Sequence, residues 1–187
     1  MVPSWCTAPD NAARPPGGVV ARSPAGILAR VSHDHHHYAL SLAWTPGDGG
    51  ATTGYRAYSR DHEVTADGVG TLPGTADIAF RGVRDRWNPE QLFLASIAQC
   101  HLLTYLWLCV GSGIVVTGYD DSPTATMTTH PDGSGEVTEV TLRPRVRLAP
   151  GSDATLALAL HGRVHEYCFI ARSVRVPIAL EPAIATN

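Results

Sequence analysis

The middle of the chain is apolar on nearly every side of a helix rather than along one stripe. Leu92, Phe93, Leu94, Ile97, Leu102, Leu103, Leu106, Trp107 and Leu108 lie within a single uninterrupted segment. A helix of that kind is either the central core helix of a domain or a membrane span. Its start is written in Asn88-Pro89-Glu90-Gln91: asparagine caps well, proline fits the first helical position, and two acceptors follow in the first turn. The pattern predicts a helix running to about Val110, stopped by Gly111 and Gly113. Gln99, Cys100, His101, Thr104 and Tyr105 interrupt the apolar run at mid-length, which favours the core helix over the span.

The segments around this helix read as strands with one further helix. Tyr38–Trp44 has strand character, Thr45–Gly50 is a turn cluster, and Gly54–Ala66 reads as a second strand closed by Asp67-Gly68. Thr124–His130, the turn Pro131–Gly135 and Glu136–Leu148 form a hairpin. In its second arm Val140, Leu142, Val146 and Leu148 face one way, and Thr141, Arg143, Arg145 and Arg147 the other. The arginine stripe is either an anion site or a solvated sheet face, and the solvated face is the expected one. Asp153–Tyr167 is a second helix with Leu156, Leu160, Val164 and Tyr167 at helical spacing, and Ser173–Leu180 closes the chain as a strand. This order predicts an α+β domain over residues 31–187. Residues 1–30, rich in Pro, Gly, Ala and Arg, read as a flexible N-terminal extension.

Composition narrows the chemistry. The chain has 187 residues and a formal charge of −3, which suits one compact domain and gives no electrostatic footprint for nucleic acid or an anionic membrane. Its 14 basic residues are all arginine. Without lysine there is no Schiff-base chemistry, pyridoxal phosphate attachment or P-loop, and no glycine-rich dinucleotide fingerprint follows a strand. The N-terminus lacks a charged region followed by an apolar run, so the expected location is the cytoplasm. In a reducing cytoplasm a cysteine that matters is usually reactive or metal-bound.

The cysteines are Cys6, Cys100, Cys109 and Cys168, with no CxxC among them. Free cysteine often simply packs, and that is the expected role of Cys6 and Cys109. Cys100 sits inside the apolar helix, whereas Cys168 follows the second helix.

Motifs around these residues resemble a known family. Asn88-Pro89-Glu90-Gln91-Leu92 leading to Ala98-Gln99-Cys100-His101 is similar to the helix signature of the OsmC/Ohr family, in which a cysteine stands ten residues after the glutamate. The family's second cysteine follows a helix and precedes the last strand, as Cys168 does in His165-Glu166-Tyr167-Cys168-Phe169-Ile170. Tyr55–His62, Asp77–Gly82 and Arg86–Glu90 look like one particular branch of the family, and the resemblance spans about residues 35–182. Phe169 departs from it, standing where the family often has proline.

The resemblance implies an OsmC-like fold, with antiparallel sheets packed around a buried central helix in an intertwined homodimer with sites at its interface. It also implies a thiol peroxidase that reduces organic hydroperoxides without a cofactor or metal. Cys100 would attack the peroxide, Cys168 would resolve the sulfenic acid, and a lipoyl- or thioredoxin-type dithiol would reset the enzyme. The catalytic arginine of the family varies between branches; Arg81 fits best, with Arg84, Arg86 and Arg60 as fallbacks, and Glu90 would tether it. The chemistry makes an arginine necessary. At a pKa of about 8.5 only ~3% of a thiol is ionised at pH 7, and lowering it by two units takes ~2.7 kcal/mol. One guanidinium at about 4 Å offers ~4 kcal/mol at an effective dielectric of 20. Leu, Phe and Trp neighbours favour an alkyl or lipid hydroperoxide over hydrogen peroxide.

Three other readings compete. His161 and His165, one helical turn apart, could join Cys168 and Cys100-His101 in a metal site. The same fold could serve as a non-catalytic binder of hydrophobic ligands in which the cysteines only pack; a Cys100 with no guanidinium beside it would favour that. Ser59, Asp61 and His62 suggest a hydrolase triad, without the nucleophile elbow that usually accompanies one. The cluster His33-Asp34-His35-His36-His37 would bind metals adventitiously or stand solvated before its strand.

Overall fold

The computed structural model describes residues 35–47 and 50–186. The expected extension over residues 1–30, Cys6 and His33 lie outside the described residues. His35, His36 and His37 are exposed and belong to no strand.

The first strands, β1 (Ser41–Trp44), β2 (His62–Thr65) and β3 (Leu72–Gly74), form a small antiparallel sheet in that order. The expected strand over Gly54–Ala66 is only its last third. Residues 51–58 turn instead, because Arg60 gathers them: its guanidinium donates to the carbonyls of Tyr58 at 2.5 Å and Tyr55 at 2.6 Å. It also lies over both tyrosine rings, 3.9 and 4.7 Å from their centroids. Carbonyls so engaged are not free for a ladder. Trp87 bridges to Gly74 and exchanges backbone hydrogen bonds with Pro73 and Thr75, tying the sheet to the start of the long helix.

That helix, α1 (Pro89–Gly111), begins as the sequence predicts. The Asn88 side chain accepts from the Gln91 N–H at 2.8 Å, and the Gln91 side chain accepts from the Asn88 N–H at 3.2 Å. Gly113, at φ +73°, turns the chain away after the helix. One stripe, Ile97, His101, Tyr105, Leu108 and Cys109, is buried against the rest of the chain. Its opposite side is open: Leu103 is 66% and Val110 77% exposed. By length and composition α1 could cross a membrane. Its buried stripe instead packs against helices and a strand of the same chain.

The remaining strands build two mixed sheets. β4 (Val116–Asp120), β7 (Arg145–Leu148) and β9 (Ala183–Thr186) form one; β5 (Thr124–Thr129), β6 (Gly135–Leu142) and β8 (Ile178–Leu180) form the other. Neither is purely antiparallel as expected, since β6–β8 and β7–β9 run parallel. The predicted strand Glu136–Leu148 is broken at Arg143-Pro144, where proline offers no N–H to a ladder. Pro182 breaks the C-terminal strand at the matching place, so two paired ribbons cross together from one sheet to the other. Glu181 N–H donates to the Leu142 carbonyl and Ala183 N–H to that of Pro144. β9, past the predicted end at Leu180, was not legible because Ala183–Thr186 is short and only weakly apolar.

The predicted two-faced pattern survives the break. Val140, Leu142, Val146 and Leu148 are core residues. The arginines are partnered by acids and carbonyls of their own sheets: Arg143 with Glu181 at 2.8 Å, Arg147 with Asp120 at 2.5 Å, and Arg145 with the Glu181 carbonyl at 2.9 Å. Thr141 is buried, unlike the rest of its predicted face.

The second helix is shorter than predicted. α2 (Ala154–Arg163) starts at Asp153, whose side chain accepts from the N–H groups of Thr155 and Leu156. It buries Ala157, Leu160 and His161, while Leu156 is exposed. A 3-10 turn, Val164–Glu166, replaces its last turn, and a short helix α3 (Phe169–Ser173) begins beyond it. Cys168 is the reason for the new start: its sulfur accepts from the Ala171 N–H at 3.4 Å and caps α3.

Candidate active site

The fold brings Cys100 and Cys168 together. Cys100 lies midway along α1, partly exposed, and Cys168 is 1% exposed at the start of α3. Cys100 packs against the core cluster that holds Cys168, close enough to influence its thiol, and no disulfide joins them. Burial, reinforced by the neighbouring Cys100 thiol, pushes the Cys168 thiol up to about 11, partly offset by the Ala171 N–H. At neutral pH Cys168 is therefore protonated, and its S–H can donate to the Cys100 sulfur. Cys109 is buried in the core beside Tyr105, and burial raises its thiol too, as suits a packing residue.

Glu90 and the candidate arginines are not gathered at the thiols within one chain. Glu90 stands in the first turn of α1, and its Oε2 is buried with no hydrogen-bond partner among the described residues. At 1.5 Å per residue the ten residues to Cys100 put it ~15 Å away along the helix. Arg81 is exposed and caps the 3-10 turn Ile78–Phe80 in a left-handed conformation, φ 72°. It is the one non-glycine residue at positive φ among those described. Beside it Gly82 is obligatory, because a Cβ there would fall 1.6 Å from the Ala76 carbonyl oxygen. Arg84 lines a cavity of about 160 Å³ with Asp77, Arg86, Asn88 and Gln91. Arg86 pairs with Asp61 at 3.5 Å, and Arg60 is locked between Tyr55 and Tyr58.

Next to Cys100 the core holds a pair of histidines that the sequence marked only as potential metal ligands. His101 Nε2 and His161 Nδ1 are 2.9 Å apart, and Tyr105 stacks on His161 with ring centroids 3.9 Å apart. Burial lowers His101 to about 4; burial and then its neighbour lower His161 to about 3, so both rings are neutral near pH 7. The available signal was position: each histidine lies on the buried stripe of its helix, His101 four residues after Ile97 and His161 four after Ala157.

The family profile described as OsmC-like protein matches residues 82–182, more than half of the chain, including α1, α2 and α3. The chain belongs to the OsmC-like family. A solved OsmC-like protein of unknown function from Vibrio cholerae is 28% identical, covering 80% of this chain and 100% of its own, at a TM-score of 0.70. An organic hydroperoxide resistance protein from Elizabethkingia anophelis shares the fold at TM-score 0.57 and 20% identity, covering 81% of this chain and 99% of its own. The organic hydroperoxide resistance protein OhrB of Bacillus subtilis does so at 0.56 and 18%, covering 80% and 98%. No curated protein matches the sequence at a significant level.

Two rival readings fail on the geometry of this OsmC-like chain. His161 is buried against His101 while His165 is exposed, so the helical pair is split. No three His, Cys, Asp or Glu side chains converge as a metal site among the described residues. Ser59, Asp61 and His62 do line one cavity of about 530 Å³. They form no relay, however: Asp61 accepts from Thr75 and pairs with Arg86, while His62 Nδ1 meets the Arg60 carbonyl.

Proposed function

We propose that this OsmC-like protein is a thiol peroxidase that reduces organic hydroperoxides, with Cys100 as the attacking sulfur and Cys168 as the resolving one. The observation that carries the reading is the contact between two free thiols, one partly exposed on a long helix and one buried and protonated. The Cys100 thiolate attacks the peroxide, the O–O bond breaks, and the alkoxide takes a proton to leave as alcohol; Cys100 is left as a sulfenic acid. The Cys168 thiol then attacks that sulfur, its proton goes with the departing hydroxyl as water, and a disulfide forms. An external dithiol, lipoyl or thioredoxin in type, exchanges with the disulfide and restores both thiols.

Arg81 is assigned the stabilisation of the thiolate and Glu90 the holding of its guanidinium. An arginine in a left-handed backbone costs on the order of 1 kcal/mol, a strain that proteins concentrate at functional sites. Glu90 Oε2, buried without a partner, calls for a cation. Within one chain neither residue reaches Cys100, which supports an intertwined homodimer in which a second copy completes the site. The open apolar side of α1 and the exposed Leu42 and Trp44 of the small first sheet are surfaces for that copy to cover.

The absence of a hydrogen bond from any arginine to Cys100 among the described residues favours one other reading, a non-catalytic binder of apolar ligands. Dithiol-dependent consumption of cumene hydroperoxide, with hydrogen peroxide alongside, separates the two. The peroxidase reading expects turnover that prefers cumene hydroperoxide and vanishes in Cys100→Ser. Equal, negligible rates for both proteins would sink it in favour of the binder.

A further inference from the structure

We propose that His101 and His161 form a positioning strut that holds Cys168 against Cys100 and sets how readily their disulfide closes; its role in turnover rests on the peroxidase reading. His101 directly follows Cys100 on α1, and His161 stands on α2, whose end leads through the 3-10 turn into Cys168. Two side-chain hydrogen bonds join α1 to α2 among the described residues: the histidine pair at 2.9 Å, and Tyr105 Oη donating to the Ala157 carbonyl at 3.2 Å. The helix carrying one thiol is thus tied, one residue away from it, to the element that leads to the other.

Packing alone does not account for the imidazoles. His101 is 4% and His161 1% exposed, and His161 Nε2 has no partner among the described residues. An orphaned buried polar atom is destabilising, a cost that an apolar side chain of similar size would avoid. What the imidazole provides in return is direction. An N–H aimed into a lone pair fixes the distance and rotation between two helices, whereas an apolar contact lets them slide. Tyr105, stacked on His161 with the planes 9° apart, holds the ring in that orientation.

Disulfide closure depends on such control. The sulfurs must come to about 2.05 Å with a Cβ–S–S–Cβ angle near 90°, and small misplacements cost large factors in rate. Cys168 caps a helix of five residues, so its position is set by what anchors the segment before it.

The test uses the reduced full chain and its variants His161→Leu, His161→Asn and His101→Gln, each checked for fold by circular dichroism. In a buffer of oxidised and reduced dithiothreitol, two thiols become a disulfide as the reagent is reduced, without any peroxide. There His161→Leu is expected to lower the equilibrium constant for Cys100–Cys168 closure at least about tenfold. In a single turnover with cumene hydroperoxide it should slow disulfide formation about as much and let trappable sulfenic acid accumulate, with first-step loss of the Cys100 thiol changed less than about threefold. His161→Asn and His101→Gln keep a polar atom where the hydrogen bond forms and should recover most of the closure. Should His161→Leu not fold, His101→Leu takes its place, with the same loss of closure, about tenfold, expected and an unaltered closure constant overturning the strut. Closure as ready in His161→Leu as in wild type, or equal loss in the leucine and polar variants, would overturn it. A wild type inert to hydroperoxide but with the expected redox-buffer pattern would overturn the peroxidase reading and leave the strut standing.

Discussion

Two kinds of buried polar residue sit around Cys100, and burial acts on them with opposite signs. It raises the Cys168 thiol and lowers His101 and His161, in each case favouring the neutral form. The histidines make a prediction about pH. In the unfolded chain they take up protons near 6.5, while the folded pair stays neutral down to about 4 and about 3. The unfolded state therefore binds more protons in between, and the pair's contribution, full above 6.5, is lost as pH falls through that window. Urea unfolding should show the midpoint declining between about pH 7 and pH 5, more steeply in wild type than in His161→Leu. Arg81 makes a second. Arg81→Gly relieves the positive φ and should stabilise the fold by about 1 kcal/mol in urea titration, yet lower peroxide turnover by on the order of 10²-fold. A glycine variant that is more stable and fully active would remove Arg81 from the site.

Among the elements, α1 matters most because it positions Glu90, Cys100 and His101 on one rigid axis. Its start depends on the reciprocal Asn88–Gln91 bonds, so Asn88→Ala should cost about 1 kcal/mol in urea unfolding while leaving the helix in place. This helix was legible in the sequence because cap, proline and terminal glycines are local signals. The alternation from Val140 to Leu148 was legible for the same reason. The break within it was not: Pro144 reads as a local blemish, and only its pairing with the chain around Pro182 makes it the crossing point between two sheets. The expected strand Gly54–Ala66 takes in Tyr55 and Tyr58, whose rings instead serve Arg60. The thiol pair was legible through its motifs. The histidine pair was not, since nothing local shows that residues 101 and 161 meet.

For the whole molecule, the single chain leaves apolar surface open and the buried Glu90 Oε2 without a partner among the described residues. α1 shows Leu103 and Val110 to solvent, and no cation meets Glu90 Oε2 among the described residues. The proposed homodimer would answer both. Leu103→Glu would place a charge on the open face of α1 and should give a monomer by light scattering with unchanged far-ultraviolet circular dichroism and at least about tenfold less peroxide turnover. A fully active Leu103→Glu monomer would show that one chain suffices. The central claim concerns the two thiols, and one experiment reaches it most directly: adding one equivalent of cumene hydroperoxide to the fully reduced protein, then mapping disulfides by mass spectrometry. The account predicts loss of the Cys100 and Cys168 thiols together, a bond between them, and an untouched Cys109. Both thiols remaining free after the hydroperoxide has been offered, or Cys100 bonded elsewhere, would contradict it.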